Sequence, residues 1–326
     1  MASFANLYYA WRKAMRGSGG SEEALKFTFF LEENLLRLSE ELLSGQWRPD
    51  PYRYFPIWRP KHRIISAASF RDRVVHHAII RVLEPIYERV FIHHSYATRK
   101  GKGVHKARAQ AQAYVRAYAW FLKSDVEKYF ERIDHDCLLR ILARKIKDQA
   151  AVGLLEEIIR HGGHAGKGLP IGNLTSQFLA NVYLDPLDHY IQDSAAAPGY
   201  IRYMDDFVLF SDDRYILKAW LGDIRIYLQD ELRISLKESA TYLNQRANGL
   251  SFLAGRIYPS LMRVHRANLR RAMAGVRHRE RRYLQGKLDE AGLSASMNSY
   301  AAYLESFDTA GLRRKLFAYE PDNLYL

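Results

Sequence analysis

Tyr200-Ile-Arg-Tyr-Met-Asp-Asp-Phe-Val-Leu-Phe210 is the stretch on which the fold turns. Residues 200–203 and 207–210 are rich in aromatic and branched side chains, so each run reads as a β-strand. Met204 and Asp205 then fall at the tip of a hairpin. Asp205 and Asp206 put two adjacent anions in a tight turn, where each repels the other and favours its proton. Cations relieve that cost, and Mg²⁺, which prefers carboxylate oxygen, is the first candidate. Apolar residues crowd the pair from both sides and place it at the edge of a core rather than in a solvated loop.

A second acid arrives from upstream. Trp120-Phe-Leu-Lys-Ser-Asp125-Val-Glu-Lys-Tyr-Phe130 reads as an apolar strand that ends on Asp125 and passes into a helix. If this strand neighbours the hairpin in one antiparallel sheet, Asp125, Asp205 and Asp206 converge on its edge. Three carboxylates suit two Mg²⁺ ions whose shells are completed by phosphates and water. Such a pair of ions activates an attacking hydroxyl and stabilises a leaving pyrophosphate in an in-line displacement. Glu127, Asp134 and Asp136 are expected on the surface.

The chain has 326 residues, enough for a large core in two or more subdomains. No apolar run approaches the ~18 residues of a membrane span, and the N-terminus lacks a signal-peptide layout. Cys137 is the single cysteine, which excludes an intramolecular disulfide and fits a reducing cytoplasm. Forty-nine basic against thirty-six acidic residues give a net charge of +13, which favours a polyanionic partner, nucleic acid or a membrane surface.

Along the chain, a short amphipathic piece ends in the joint Arg16-Gly-Ser-Gly-Gly20. Ser21 caps an expected helix that runs to Gly45. Pro49, Pro51, Pro56 and Pro60 then favour extended chain. A helix with Val74, Ala78, Ile79 and Val82 on one face follows. Arg99-Lys-Gly-Lys-Gly-Val-His-Lys106 is a basic turn, either solvated or a phosphate contact. A long helical region closes at Gly162 and Gly163, a turn after Pro170 opens another helix, and a helix spans residues 216–232. Residues 249–257 read as a strand. From Arg263 onward the chain is strongly basic: on a helical wheel Arg263, Arg266, Arg270, Arg277 and Arg281 fall within roughly 60° of arc. That stripe is a solvated face or a grip on phosphates.

Three other chemistries find no support. Lys167 is not followed by Ser or Thr, so residues 162–168 are not a P-loop. The pairs His76-His77 and His93-His94, with His161 and His164, lack the cysteines and the geometry of a zinc site. No Gly-x-Ser-x-Gly elbow marks a serine hydrolase.

Four segments in order resemble the reverse transcriptase family. Arg63-Ile-Ile-Ser66 with Arg71-Asp-Arg73 is similar to its fingers motif, and Leu122-Lys-Ser-Asp125 through Phe130 to its first catalytic motif. Tyr203-Met-Asp-Asp206 is similar to its palm hairpin, and residues 249–257 to its primer grip. The resemblance implies an α+β right-hand polymerase: an N-terminal extension and fingers over 1–119, an antiparallel-sheet palm over 120–258 with a fingers insertion around 140–170, and a helical thumb over 259–326. It implies RNA-directed DNA synthesis with two Mg²⁺ ions, or Mn²⁺ as substitute, held by Asp125, Asp205, Asp206 and the Val126 carbonyl.

Carried over by resemblance, Lys61 and Arg63 lie at the incoming nucleotide and Lys237 near the leaving pyrophosphate. Phe130 excludes the ribose 2′-OH or simply packs the core. Phe252, Leu253 and Gly255 form the primer grip, and the five arginines hold the RNA–DNA duplex by its backbone. Where many bacterial relatives carry Gln-Gly-x-x-x-Ser-Pro, this chain reads Ile171-Gly-Asn-Leu-Thr-Ser-Gln177. That form resembles the enzymes of diversity-generating retroelements, which copy a template RNA with errors opposite adenine and work with a small basic accessory protein. Ile171 and Gln177 would then face the nascent pair, or Ile171 merely packs the turn. The implied partners are template RNA, the RNA–DNA duplex, dNTPs and that accessory protein, with no membrane. The rivals are another bacterial reverse transcriptase of retron, intron or phage-defence type, and a non-catalytic RNA-binding module. Little chain beyond the thumb argues against the intron type.

Overall fold

The structure, a computed structural model, describes residues 1–58 and 62–317; Lys61 lies outside the described residues. Helices α1 (Phe4–Arg16), α2 (Glu22–Phe29) and α3 (Leu31–Leu43) open the chain. The single helix expected from Ser21 is broken at Phe30, whose φ of −109° and ψ of 43° are not helical. The break lets Ala24 on α2 and Leu35 and Leu38 on α3 be buried together, and it leaves Leu25 and Phe29 outside. Strands β1 (Arg53–Ile57) and β2 (Arg63–Ala67) pair antiparallel, with Pro56 tolerated on this small two-stranded sheet.

Helix α4 (Phe70–Tyr87) starts at Ser69, whose hydroxyl accepts the Asp72 N–H. It buries Val74, Ala78 and Ile79 as expected, but Leu83 in place of Val82, and also Val75, His76 and Ile80. Packing by α1 on one side and by α9 (below) on another explains why more than one stripe is apolar. Helix α5 (Val104–Ala117) follows the basic turn.

Strand β3 (Trp120–Asp125) is followed by α6 (Tyr129–Arg132), α7 (His135–Lys145), α8 (Gln149–His161) and α9 (Leu174–His189). Then come β4 (Gly199–Tyr203), β5 (Asp206–Ser211), α10 (Arg214–Asp230) and β6 (Tyr242–Gln245). These four strands form one antiparallel sheet in the order β4-β5-β3-β6. Side chains alternate across it, as a strand requires. Leu122, Tyr200, Phe207 and Leu209 enter the larger core with α4, α9 and α10. Phe121, Ile201, Val208 and Phe210 enter a second core against α5. With both faces covered, apolar side chains point to either side of the sheet, and the full burial of Phe207 and Phe210 stabilises the hairpin by ~1.5–3 kcal/mol each.

Residues 249–257 are a hairpin rather than one strand: β7 (Leu250–Phe252) turns through Leu253 and Ala254 into β8 (Gly255–Ile257), which pairs with β9 (Met262–Val264). Leu253 and Ala254 both take the left-handed conformation, φ 47° and 66°, that a two-residue hairpin of this hand demands. Neither is the Gly or Asn that usually marks such a turn, which is why the sequence reads as continuous strand. Helices α11 (Arg266–Leu284), α12 (Glu290–Glu305) and α13 (Ala310–Phe317) complete the described chain. Arg263 therefore lies on β9 and not on the arginine-bearing helix; Arg266, Arg270, Arg277 and Arg281 share α11 and are exposed. Among the described residues no helix is long and apolar enough to cross a membrane.

Two acids are more deeply placed than their sequence suggests. Asp134, expected on the surface, is buried; it caps α7 by accepting the Cys137 N–H at 2.9 Å and pairs with Arg233 at 3.2 Å. Asp185 on α9 is also buried, with its Oδ1 lacking a hydrogen-bond partner among the described residues and His189 Nε2 3.7 Å away. Burial, reinforced by repulsion from Asp188, pushes Asp185 up to about 6. The folded chain thus holds this proton more tightly than the unfolded chain, so the group's contribution is full at low pH and is lost as pH rises through about 6. Asp185→Asn is expected to raise Tm at about pH 8 and to match wild type near pH 4, as read by thermal melts. An equal shift at both pH values would contradict this assignment.

Candidate active site

The sheet register sets the geometry. Asp125, last on β3, faces Asp206, first on β5, while Met204 and Asp205 make the turn between β4 and β5. Facing residues on neighbouring strands share a side, so the Asp125 and Asp206 carboxylates leave the sheet on the same face. Lys123, two residues before Asp125, shares that face and sets its Nζ 2.8 Å from Asp206 Oδ1. The chain after Asp125 is stitched down by its backbone. Val126, buried, donates its N–H to the Asp205 carbonyl at 3.2 Å, Glu127 donates to Ser235, and Lys237 donates to the Asp125 carbonyl at 2.8 Å.

The carboxylates are held at a cost. Asp205 is pushed up to about 6, first by burial and then by Asp125, with Arg63 and Lys123 acting the other way. Asp206 is likewise pushed up to about 6 by burial, which the Lys123 ammonium opposes and Asp125 and Asp205 reinforce. This is a donor set that gains from a further cation. Among the described residues no group of three or more His, Cys, Asp or Glu side chains is gathered closely enough to hold a metal ion, Asp125, Asp205 and Asp206 included. Mg²⁺ takes one or two protein carboxylates and keeps phosphate and water in its shell.

Beneath the turn lies a network that the local sequence does not announce. Arg202 is fully buried and forks onto Asp188 of α9, with Nε 2.7 Å from Oδ1 and Nη2 on Oδ2. Its Nη1 donates to the Met204 carbonyl at 3.0 Å and to Asn181 Oδ1 at 3.1 Å. Tyr200 completes the acceptor's shell by donating to Asp188 Oδ1 at 2.7 Å. Asn181 in turn donates to the Ala97 carbonyl and Thr98 hydroxyl, tying in the segment before the basic turn. Met204 has φ 60°, a left-handed conformation costly for a residue with a side chain, and the Arg202 contact holds its carbonyl there. Arg202 thus fixes the acid-bearing turn from below. Its neighbours in sequence give no sign of burial, because the partners Asp188 and Asn181 lie on a helix upstream.

Among the other expected residues, Arg63 is electrostatically coupled to the carboxylates. Arg63 opens β2, is exposed, and lies close enough to lower Asp205 electrostatically. Ser66 of the same strand donates to the Ile171 carbonyl at 2.9 Å, which locks the turn before α9 onto β2. Gly172 has φ +117°, and a Cβ there would meet Ile65 Cγ2 at 2.7 Å, so only glycine permits this approach. Phe130 is half-buried on α6, packs on the larger core, and accepts the Leu169 N–H through its carbonyl at 2.7 Å. Gln177 is exposed on the first turn of α9.

The hairpin of Phe252, Leu253 and Gly255 shares a cleft of about 310 Å³ with Lys123, Asp206 and His265. His265 lies in no quoted motif, and Lys123 lies within Leu122-Lys-Ser-Asp125 without a role of its own; its period-2 spacing from Asp125 is the signal that could have given it one. The α11 arginines line no part of that cleft.

The family described as reverse transcriptase (RNA-dependent DNA polymerase) matches residues 56–253, more than half of the chain. Protein YkfC of Escherichia coli K12 is 27% identical over 286 residues, covering 73% of this chain and 74% of YkfC. The group II intron-encoded protein LtrA of Lactococcus lactis is 27% identical over 197 residues, 56% of this chain and only 33% of LtrA. The structure of apo telomerase from Candida tropicalis superposes with a TM-score of 0.50 at 10% identity, covering 65% of this chain and 48% of that one, a likeness of fold. The α+β right-hand polymerase architecture is thereby borne out, and with the match running from residue 56 to residue 253 the chain belongs to the reverse transcriptase family of RNA-dependent DNA polymerases.

Proposed function

We propose that this chain copies an RNA template into DNA at a centre made by Asp125, Asp205 and Asp206, in the manner of diversity-generating retroelement enzymes. The observation that carries the centre is the register of Asp125 against Asp206 with Asp205 in the adjoining turn. Asp125, Asp205, Asp206 and the Val126 carbonyl hold divalent ions, Mg²⁺ or Mn²⁺. Bound there, the ions neutralise the triphosphate and lower the pKa of the attacking primer hydroxyl.

The protein's own groups do the positioning. Arg63, with Lys61, binds the triphosphate, and Phe130 closes the space for a 2′-OH. Lys237, whose backbone N–H donates to the Asp125 carbonyl, lies near the leaving pyrophosphate in this reading. Phe252, Leu253 and Gly255 seat the primer end in the cleft that also holds Asp206. Residues 1–119 serve as N-terminal extension and fingers, 120–258 as palm with an insertion around 140–170, and 259–326 as thumb. Its partners are template RNA, the RNA–DNA duplex and dNTPs, with a small basic accessory protein; its setting is the cytoplasm.

The error-prone branch rests on Ile171. Its carbonyl accepts from Ser66 of β2, the strand that opens with Arg63, and in this reading its apolar side chain adjoins the incoming nucleotide. An apolar group cannot report on pairing by hydrogen bonds, which removes a source of discrimination. A second reading, a group II intron-type enzyme, is favoured by the identity to LtrA. Primer extension on a defined RNA template with sequenced products separates them. Errors concentrated at template adenines support the diversity-generating branch; accurate products move the chain to the intron-type branch.

The α11 stripe is read as a phosphate grip. Replacing Arg266, Arg270 and Arg277 with Gln is expected to weaken template–primer binding and to reduce its salt slope by roughly 1 for each phosphate no longer neutralised, measured by filter binding at several salt concentrations. An unchanged slope would return these arginines to the solvated surface.

A further inference from the structure

The helical break at Phe30 leaves an apolar surface that nothing described in this chain covers. Phe29 is 81% exposed, Phe30 56%, Leu25 55%, Leu36 47% and Leu43 77%. Phe29, Phe30 and Leu36 line one groove of about 440 Å³ together with Glu32 and Glu33. Leu25 lies one turn from Phe29 on α2, and Leu43 lies two turns from Leu36 on α3, so both extend the same faces. Single exposed apolar residues are ordinary, but a contiguous group of this kind marks an interaction site.

The charge around it narrows the occupant. In a chain of net charge +13, residues 21–43 carry Glu22, Glu23, Glu32, Glu33, Glu40 and Glu41 against only Lys26 and Arg37. No ion pair among the described residues involves Glu32, Glu33 or Glu40. Carboxylates around the groove repel RNA, DNA and anionic lipid. A second copy docking the same patch would set these carboxylates against themselves. The complementary surface is cationic with an apolar ridge.

We propose that the α2–α3 face docks a basic protein partner through an amphipathic helix, with apolar side chains in the Phe29–Phe30–Leu36 groove and lysines or arginines over Glu32, Glu33 and Glu40. The inference gives the accessory-protein reading a surface, and it rests on exposure and charge. Its test uses no polymerase activity, so failure of docking and failure of RNA-templated synthesis are separate results.

The probe is a synthetic amphipathic helix of Lys and Leu, fluorescently labelled, titrated with the full chain by anisotropy. A helix of the same pattern with Glu in place of Lys serves as its counterpart. The Lys helix is expected to bind, to lose about tenfold or more in affinity on Phe29→Ser/Leu36→Ser and on Glu32→Lys/Glu33→Lys, and to outbind the Glu helix. All four substituted side chains are exposed, so the variants keep the wild-type fold, which circular dichroism verifies. Equal binding of the two helices, or binding untouched by both variants, overturns the proposal. So does sedimentation showing self-association that Phe29→Ser/Leu36→Ser abolishes, since the occupant is then a second copy.

Discussion

Asp206→Ala is expected to abolish primer extension while RNA binding stays within about twofold of wild type. The carboxylate sits at the head of β5 facing Asp125, where it is half-buried and repelled by its neighbours. If Asp206 is a direct metal ligand, as proposed above, its removal costs more than the ~10–100-fold typical of an outer partner, so the loss should exceed about a thousandfold. Folding should survive, because two opposing changes accompany the substitution. The ionised Asp206 is disfavoured by burial, which its removal relieves, whereas Lys123, only 12% exposed, loses its partner at 2.8 Å. On the reading proposed above, RNA is held by the exposed α11 arginines, so its binding should not depend on this acid. Extension retained within tenfold, alongside unchanged binding, would remove Asp206 from the centre.

Arg202 should give the second large effect, of a different kind. Arg202→Met leaves Asp188 buried without its counter-ion, a change that costs about 3–5 kcal/mol and puts folding itself at risk. Arg202→Lys is the informative variant. It keeps the charge but loses the planar fork that binds Asp188 and Met204 together. The lysine enzyme is expected to fold with a lowered Tm and to need more Mg²⁺ for half-maximal extension, because the Met204–Asp205 turn is no longer fixed. Tyr200→Phe removes only a hydroxyl from Asp188 and should lower Tm slightly with a normal Mg²⁺ requirement. If Arg202→Lys also keeps the wild-type Mg²⁺ requirement, the clamp supports the fold and does not position the turn.

The parts legible in the sequence are those with local signatures. Alternating aromatic and branched residues around two acids mark the β4–β5 hairpin, and the strand that ends at Asp125 announces itself in the same way. What was not legible depends on distant partners. Arg202 stands among β-prone residues with no hint that Asp188 and Asn181 will meet it inside the core. Asp134 looks like a surface acid until Arg233, about a hundred residues later, closes on it. The helix from Ser21 has unbroken apolar periodicity, and only tertiary packing decides that it breaks at Phe30. Arg263 matched a helical wheel because a periodic pattern survives extrapolation past the true helix start at Arg266. Leu253 and Ala254 form a left-handed turn without the residues that usually report one.

The most direct measurement is incorporation of labelled dNTPs on a primed RNA template by the wild-type chain in Mg²⁺, run beside Asp125→Asn and beside wild type with EDTA. Asp125 is chosen because it comes from β3, independent of the hairpin that carries the other two acids. The wild-type primer is expected to lengthen one nucleotide at a time, and both companion reactions are expected to leave it unextended. A primer that lengthens equally with Asp125→Asn, or in the presence of EDTA, would contradict a metal-dependent centre built from these three carboxylates.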